Sequence, residues 1–109
     1  MKILVTGGAG YVGTSLIPQL LEKGHQVRVL DNLMFGGDQL LPFFRNNNFE
    51  FEKGDVRSRE DVAQVVKGRD VVIHLAAIVG YPACRKDPKL AEEVNVQGTK
   101  HIASALSRE

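Results

Sequence analysis

A glycine cluster directly after a short apolar run constrains this chain more than any other feature. Residues 2–6 (KILVT) predict a buried strand, and the glycines of GGAGYVG follow at 7–13. Apolar residues then recur at helical spacing up to Lys23; they are Val12, Leu16, Leu20 and Leu21. The pattern therefore predicts a strand, a tight turn and a helix in immediate succession.

Strand-like and helix-like segments alternate along the rest of the chain. The predicted elements are strands at 26–31, 49–53 and 70–75 and helices at 38–44, 59–67 and 88–107. The near-continuous apolar run at 70–75 is typical of a parallel strand covered on both faces. Such alternation predicts an α/β fold with a parallel sheet and helices on both faces. The expected strand order is 3-2-1-4, the first part of a doubly wound sheet.

The spacing of the glycines fits a turn that receives a dinucleotide. Counted from Gly8, the segment satisfies G-x-G-x-x-G, and counted from Gly7 it satisfies G-x-x-G-x-x-G. The first glycine permits the tight turn, the middle one lets backbone approach a pyrophosphate, and the last lets the helix pack closely on the sheet. The helix N-terminus then offers unpaired N–H groups to the phosphates. The alternative is a glycine-rich turn that holds no ligand.

Asp31 ends the second predicted strand, about 20 residues beyond the glycines, where an acid hydrogen-bonds the ribose hydroxyls of NAD. A 2′-phosphate would meet a like charge there, which disfavours NADP. Arg28 is close in sequence, but its position on the strand is expected to direct it elsewhere. A strand-end turn residue is the alternative interpretation of Asp31.

Four further residues carry two interpretations each. Asp55 follows the third strand and either bonds an adenine amino group or is an ordinary loop acid or helix cap. His74 lies late in an apolar strand and is interpreted as a satisfied core histidine rather than a catalyst. Cys84 has no nearby His or Cys partner for metal or nucleophilic chemistry and is interpreted as a buried or merely free thiol. Asn95 interrupts a helix with a poor helix former, through either a polar contact or simple exposure.

Composition narrows the function classes. The chain has 109 residues, enough for one domain, and a net charge of +1 without any Lys/Arg run, so no nucleic-acid footprint is present. The first apolar run is too short for a signal peptide or a membrane span. One cysteine cannot form an intrachain disulfide, which fits a reducing cytoplasm.

Five motifs in one order make the chain resemble the N-terminal portion of the extended short-chain dehydrogenase/reductases, the NAD-dependent sugar-nucleotide epimerase/dehydratase family. They are TGGAGYVG at 6–13, DNL at 31–33, GDVR at 54–57, HLAA at 74–77 and NVQGT at 95–99. The resemblance covers the whole chain and implies an NAD-binding Rossmann-type domain over 1–109. In such enzymes NAD transiently oxidises a sugar carbon, and the hydride is later returned.

The resemblance also implies a role for each matching residue. The pyrophosphate would lie against Gly7, Gly10, Tyr11, Val12 and Gly13. The adenosine ribose and its surroundings would be held by Asp31, Asn32 and Leu33. The adenine would lie between Asp55 and Val56. The path to the nicotinamide would be lined by Leu75, Ala76 and Ala77, with Asn95 in support.

The chain departs from the family at the catalytic residues. The family uses a Tyr-x-x-x-Lys pair with an upstream Ser or Thr, and the nearest segment here, Tyr81 to Arg85, has Arg for Lys and a proline inside. Because Arg cannot serve as a tunable ammonium, this segment is rejected. No catalytic residue and no metal ligand is assigned. The chain is expected to be a fragment that lacks the catalytic segment and the substrate domain, and to be inactive alone.

Two other functions are compatible with the sequence, and a fragment of this kind has one structural consequence. The alternatives are a non-catalytic NAD-sensing or interaction module and an NADP-dependent reductase of the same superfamily. In a fragment, the fourth strand would leave an apolar edge uncovered, so self-association is expected. A nucleotide sugar is the expected substrate of the full-length parent, and neither nucleic acid nor membrane is an expected partner.

Overall fold

Four parallel strands form one sheet in the computed structural model, which describes residues 1–34, 36–77 and 86–106. The strands are β1 (Lys2–Thr6), β2 (Gln26–Asp31), β3 (Phe49–Lys53) and β4 (Val71–His74). Their order is β3-β2-β1-β4, which confirms the predicted order 3-2-1-4. Side chains of β4 pack on both faces of the sheet, as predicted, with Val72 on one face and Val71 and Ile73 on the other, although the strand is only half-buried.

Helices follow the strands as the alternation predicts. They are α1 (Tyr11–Glu22), a 3-10 helix (Asp38–Arg45), α2 (Arg59–Val66), α3 (Pro88–Glu92), a π-helix (Glu93–Gln97) and α4 (Gly98–Leu106). The last three are continuous and form the long helix expected from residue 88 onward. The π-helical turn within it was not predicted. Such turns occur frequently at functional sites.

The strands bury side chains on both faces of the sheet, as a doubly wound architecture requires. On one face the sheet packs against α2 and the long helix, through a cluster that includes Leu4, Leu30, Val62, Val66 and Ile102. On the other face it packs against α1 and the 3-10 helix, through a cluster that includes Ile3, Val5, Ile17, Val29 and Leu40. Successive side chains of one strand point to opposite faces of the sheet, so each central strand contributes residues to both clusters.

The buried face of α1 is formed by Gly13, Ile17 and Leu21, which lie one helical turn apart. Val12, by contrast, is 60% exposed. The apolar spacing in the sequence thus identified the helix but only part of its buried face, since Leu21 is buried and Leu20 packs against the core. The reason is the close approach of the helix to the preceding turn: a Cβ on Gly13 would lie 2.5 Å from the carbonyl oxygen of Gly8. Only glycine fits at this point, so Gly13 sets the rotation of the helix.

Some sequence-based expectations fall outside the described residues. They concern Cys84, the segment from Tyr81 to Arg85, and Ser107 at the end of the predicted long helix. Within the described residues, no helix has the length and apolar character that crossing a membrane would require.

Gly13→Ala is expected to destabilise the protein by about 1–3 kcal/mol, because the added methyl group would overpack the contact with Gly8. Helix propensity alone predicts the opposite sign, since alanine is the better helix former by about 1 kcal/mol. The matched control is Val12→Ala on the exposed side of the same turn, which should change stability by less than about 0.5 kcal/mol. Urea unfolding of the three proteins measures both effects. A Gly13→Ala protein as stable as the wild type would contradict the packing argument.

Candidate functional site

A groove of about 310 Å³ lies where the carboxyl ends of the strands meet the start of α1. This is the position at which open α/β sheets bind ligands, and the volume lies within the range of small-molecule sites. Most residues expected to contact a dinucleotide line the groove: Gly7, Gly10, Tyr11, Val12, Gly13, Asp31, Asn32, Asp55, Val56, Leu75, Ala76 and Ala77. Their contact with a cofactor stays a prediction, but the fold brings them together.

The glycine turn is held tightly against the segment after β4. Gly7 has a φ of +70°, in the left-handed region, and a Cβ there would lie 2.7 Å from the backbone nitrogen of Ala76. Gly10 lies three residues further along the turn, and its N–H donates to the carbonyl of Gly7 (3.0 Å). Backbone, rather than side chain, therefore forms the floor of the groove at this point.

The N-terminus of α1 has no side-chain cap. Gly10 is its N-cap residue, and its first turn contains no acidic side chain. Two other helices are capped: Ser58 caps α2 by accepting from the N–H of Asp61, and Asp87 caps α3 by accepting from that of Leu90. The first-turn N–H groups of α1 and the positive end of its dipole thus face the groove without a capping side chain, an arrangement suited to a phosphate.

Asp31 is hydrogen-bonded to the glycine turn and to the loop that follows β2. The Ala9 N–H donates to its Oδ2 (3.0 Å), and the Leu33 N–H donates to its Oδ1 (2.7 Å). Each carboxylate oxygen keeps further acceptor capacity for a ligand hydroxyl. Leu33 itself has a φ of +62° and packs its side chain against the α1 face of the core, so it does not line the groove.

Arg28 points away from Asp31, as the sequence analysis expected. Its Nε donates to Glu50 (2.9 Å), and its Nη1 donates to the carbonyl of Val65 (2.9 Å) near the end of α2. The guanidinium is therefore already engaged outside the groove, where it cannot neutralise a 2′-phosphate next to Asp31.

Asp55 is fixed at the other end of the groove by Arg57. The guanidinium of Arg57 donates from Nη2 to Oδ2 (2.6 Å) and from Nε to Oδ1 (3.1 Å) of Asp55. This hydrogen bonding holds the pKa of Asp55 below its ordinary value and outweighs the opposing effect of partial burial. Asp55 does not cap α2, because Ser58 does, so the helix-cap alternative is wrong. Arg57 also approaches Glu93 in the π-helix (Nη1 to Oε2, 3.8 Å).

His74 is half-buried between two threonines. Its Nδ1 lies 2.6 Å from Thr6 Oγ1, and its Nε2 lies 3.1 Å from Thr99 Oγ1. Burial lowers the pKa of His74, which favours the neutral ring. These contacts confirm the interpretation of a satisfied histidine.

The sequence analysis missed several residues of this region. Thr6 is fully buried at the end of β1, and a polar residue ending an apolar strand was the signal that could have identified it. The side-chain amide of Gln39 donates to the carbonyl of Ala9 and supports the glycine turn from the 3-10 helix. Val94 lines the groove from the π-helix, and no local pattern marks such a long-range contact.

Asn95 lies in the π-helix, next to Val94 but not among the residues that line the groove. Its backbone carbonyl accepts a hydrogen bond from the hydroxyl of Thr99 (2.8 Å). Across the described ranges no group of three His, Cys, Asp or Glu side chains is placed to hold a metal ion.

The family model of the NAD dependent epimerase/dehydratase family matches residues 3–109. UDP-glucose 4-epimerase 3 of Oryza sativa is 36% identical over 98% of this chain and 31% of its own length. A 3-beta-hydroxysteroid dehydrogenase of Mycolicibacterium neoaurum is also 36% identical, over 95% of this chain and 28% of its own length. The chain thus spans about a third of the length of these curated relatives.

The fold is also similar to that of solved NAD-bound sugar-nucleotide enzymes. The dTDP-glucose 4,6-dehydratase of Streptomyces venezuelae, solved with NAD bound, superposes with a TM-score of 0.88 at 32% identity. The match covers 96% of this chain and 35% of that one. Sequence and structure therefore agree, and this chain belongs to the NAD dependent epimerase/dehydratase family.

Proposed function

We propose that this chain is the NAD-binding portion of an oxidoreductase that acts on a nucleotide sugar, as an epimerase or a dehydratase does. One observation carries the proposal: the uncapped N-terminus of α1 and the carboxylate of Asp31 line the same groove. The first suits a pyrophosphate and the second suits a ribose diol, so together they match the two polar parts of a dinucleotide.

The glycine turn would receive the pyrophosphate. The backbone of Gly7 and Gly10, whose Cβ positions are blocked or crowded, would approach the phosphates closely. The first-turn N–H groups of Tyr11, Val12 and Gly13 would donate to the phosphate oxygens. Tyr11 and Val12 are exposed at the mouth of the groove, which supports contact with a ligand there.

The adenosine would lie between Asp31 and Asp55. Asp31 and Asn32 would hold the ribose, and Leu33 would position that loop through its packing rather than by contact. Asp55 would accept from the adenine amino group while Val56 packs beside the ring. Because Arg57 keeps Asp55 ionised and oriented, the acceptor is in place before the nucleotide arrives.

The nicotinamide end would lie along Leu75, Ala76 and Ala77, with Asn95 supporting this region from the long helix. Bound there, NAD would accept a hydride from a sugar carbon and return it later. The chain contains no Tyr-x-x-x-Lys segment, so it is proposed to bind the cofactor and to be catalytically inactive alone. UDP-glucose and dTDP-glucose enzymes among the relatives support a nucleotide-sugar substrate for the whole protein, while the steroid dehydrogenase is the competing class.

Binding experiments distinguish this function from two others. A module that senses NAD without catalysis would bind the cofactor and change its affinity for a partner protein. An NADP-dependent reductase would bind NADP at least as well as NAD, against the charge of Asp31.

Asp31→Asn is expected to weaken NAD binding about ten- to hundredfold, because hydrogen bonds from the ribose to a charged acceptor become bonds to a neutral one. The preference for NAD over NADP should shrink at the same time, since the like charge facing a 2′-phosphate is removed. Isothermal titration with both dinucleotides measures the two effects. Asp38→Asn, in the exposed first turn of the 3-10 helix, is the matched control and should bind like the wild type. Tighter binding of NADP than NAD by the wild type would overturn the choice of cofactor.

Adenine recognition by Asp55 can be tested with nicotinamide hypoxanthine dinucleotide, which has a carbonyl where NAD has the amino group. The wild type should prefer NAD about tenfold, because a carboxylate accepts from the amine but repels the carbonyl oxygen. Asp55→Asn should lose this preference, since an amide can either donate or accept. Glu52→Gln, an exposed change on β3, should keep the preference. Equal binding of both dinucleotides by the wild type would contradict the role of Asp55.

Self-association is proposed for the 109-residue chain, because β4 pairs with β1 alone among the described strands and no other described strand covers its outer edge. Sedimentation velocity over a range of concentrations should show dimers or larger species. A chain that stays monomeric at every concentration, with a high melting temperature, would refute this proposal.

A further inference from the structure

Thr6, His74 and Thr99 form a chain of hydrogen bonds that spans from the centre of the sheet to the long helix. Thr6 is fully buried. Its Oγ1 receives the N–H of Ala76 (3.2 Å) and a share of the N–H of Leu75 (3.1 Å), which also donates to the Thr6 carbonyl. The same Oγ1 lies 2.6 Å from His74 Nδ1.

The direction of each bond follows from what each atom can do. A buried hydroxyl hydrogen needs an acceptor, and among the described residues His74 Nδ1 is the acceptor that the Thr6 hydroxyl meets. Nδ1 is therefore unprotonated, and a neutral imidazole then carries its hydrogen on Nε2. Nε2–H donates to Thr99 Oγ1 (3.1 Å), and the Thr99 hydroxyl donates in turn to the carbonyl of Asn95 (2.8 Å).

This chain of bonds connects two walls of the groove. The residues directly after His74, Leu75 to Ala77, form one wall, and Val94 in the π-helix contributes to another. Asn95, whose carbonyl ends the chain, adjoins Val94 and lies in the π-helical turn. The series of hydrogen bonds therefore ends next to both walls: His74 directly precedes Leu75, and Asn95 directly follows Val94.

We propose that His74 is a positioning residue for the dinucleotide groove: held as the Nε2–H tautomer by Thr6, it fixes the spacing between the 75–77 wall and the π-helix through Thr99. The effect of this role on cofactor affinity rests on the proposed NAD binding. The tautomer of His74 is independent of that proposal. Burial, which disfavours the charged ring, acts in the same direction as the geometry.

The first test is the tautomer itself. Nitrogen-15 chemical shifts of the His74 ring in the 109-residue chain should show an unprotonated Nδ1 and a protonated Nε2 at neutral pH. Thr6→Val removes the donor to Nδ1 and should give a mixture of tautomers, whereas Thr6→Ser keeps the hydroxyl and should keep the single tautomer. A wild-type ring protonated on Nδ1 would overturn the proposal.

The second test is the effect on NAD binding. Thr99→Val should weaken NAD binding about tenfold by isothermal titration, because the link to the π-helix is lost. Thr99→Ser keeps the hydroxyl and should bind within about twofold of the wild type. Thr99 is exposed, so neither change should impair folding. Equal NAD affinity in the wild type and Thr99→Val would overturn the positioning role alone. Absence of NAD binding by the wild type would overturn the proposed function and this role with it.

Discussion

The contact of Gly13 with the backbone of Gly8 is the constraint on which the rest of the site depends. It brings the first turn of α1 directly against the glycine turn, at a distance that no side chain permits. The uncapped end of α1 then faces the groove, and Ile17 and Leu21 follow Gly13 into the core. The Gly13 contact therefore determines both how α1 packs on the sheet and where its free N–H groups face a ligand.

Around this contact, the polar groups of the groove are arranged before any ligand binds. Asp31 is held by the N–H groups of Ala9 and Leu33, and Asp55 is held by Arg57. Each of these carboxylates follows or ends a strand, and parallel strands bring such positions to one edge of the sheet. Orientation by internal hydrogen bonds lowers the entropy cost of ordering these side chains on binding. Contacts within the protein thus orient the carboxylates that would recognise a ligand in this groove.

Much of the fold was predictable because its signals are local. Apolar periodicity located the strands and helices, and their alternation predicted the strand order that the structure shows. The signals failed where several elements compete for the same space. The buried face of α1 was decided by the Gly8 contact rather than by the apolar residues Val12 and Leu16. The π-helical turn has no pattern in the sequence, because it is a small change of register in an otherwise ordinary helix.

The sequence by itself determined the fold class, the topology and the position of the groove, because glycine spacing, strand periodicity and the acid at residue 31 act through the local backbone. Only the tertiary structure decided which residues work together across the groove. Val94 approaches from the long helix, Gln39 supports the turn from the 3-10 helix, and Thr6 and Thr99 contact His74 from opposite sides. These contacts join residues more than 20 positions apart. Their geometry depends on how helices pack on the finished sheet, and no local pattern in the chain encodes that packing.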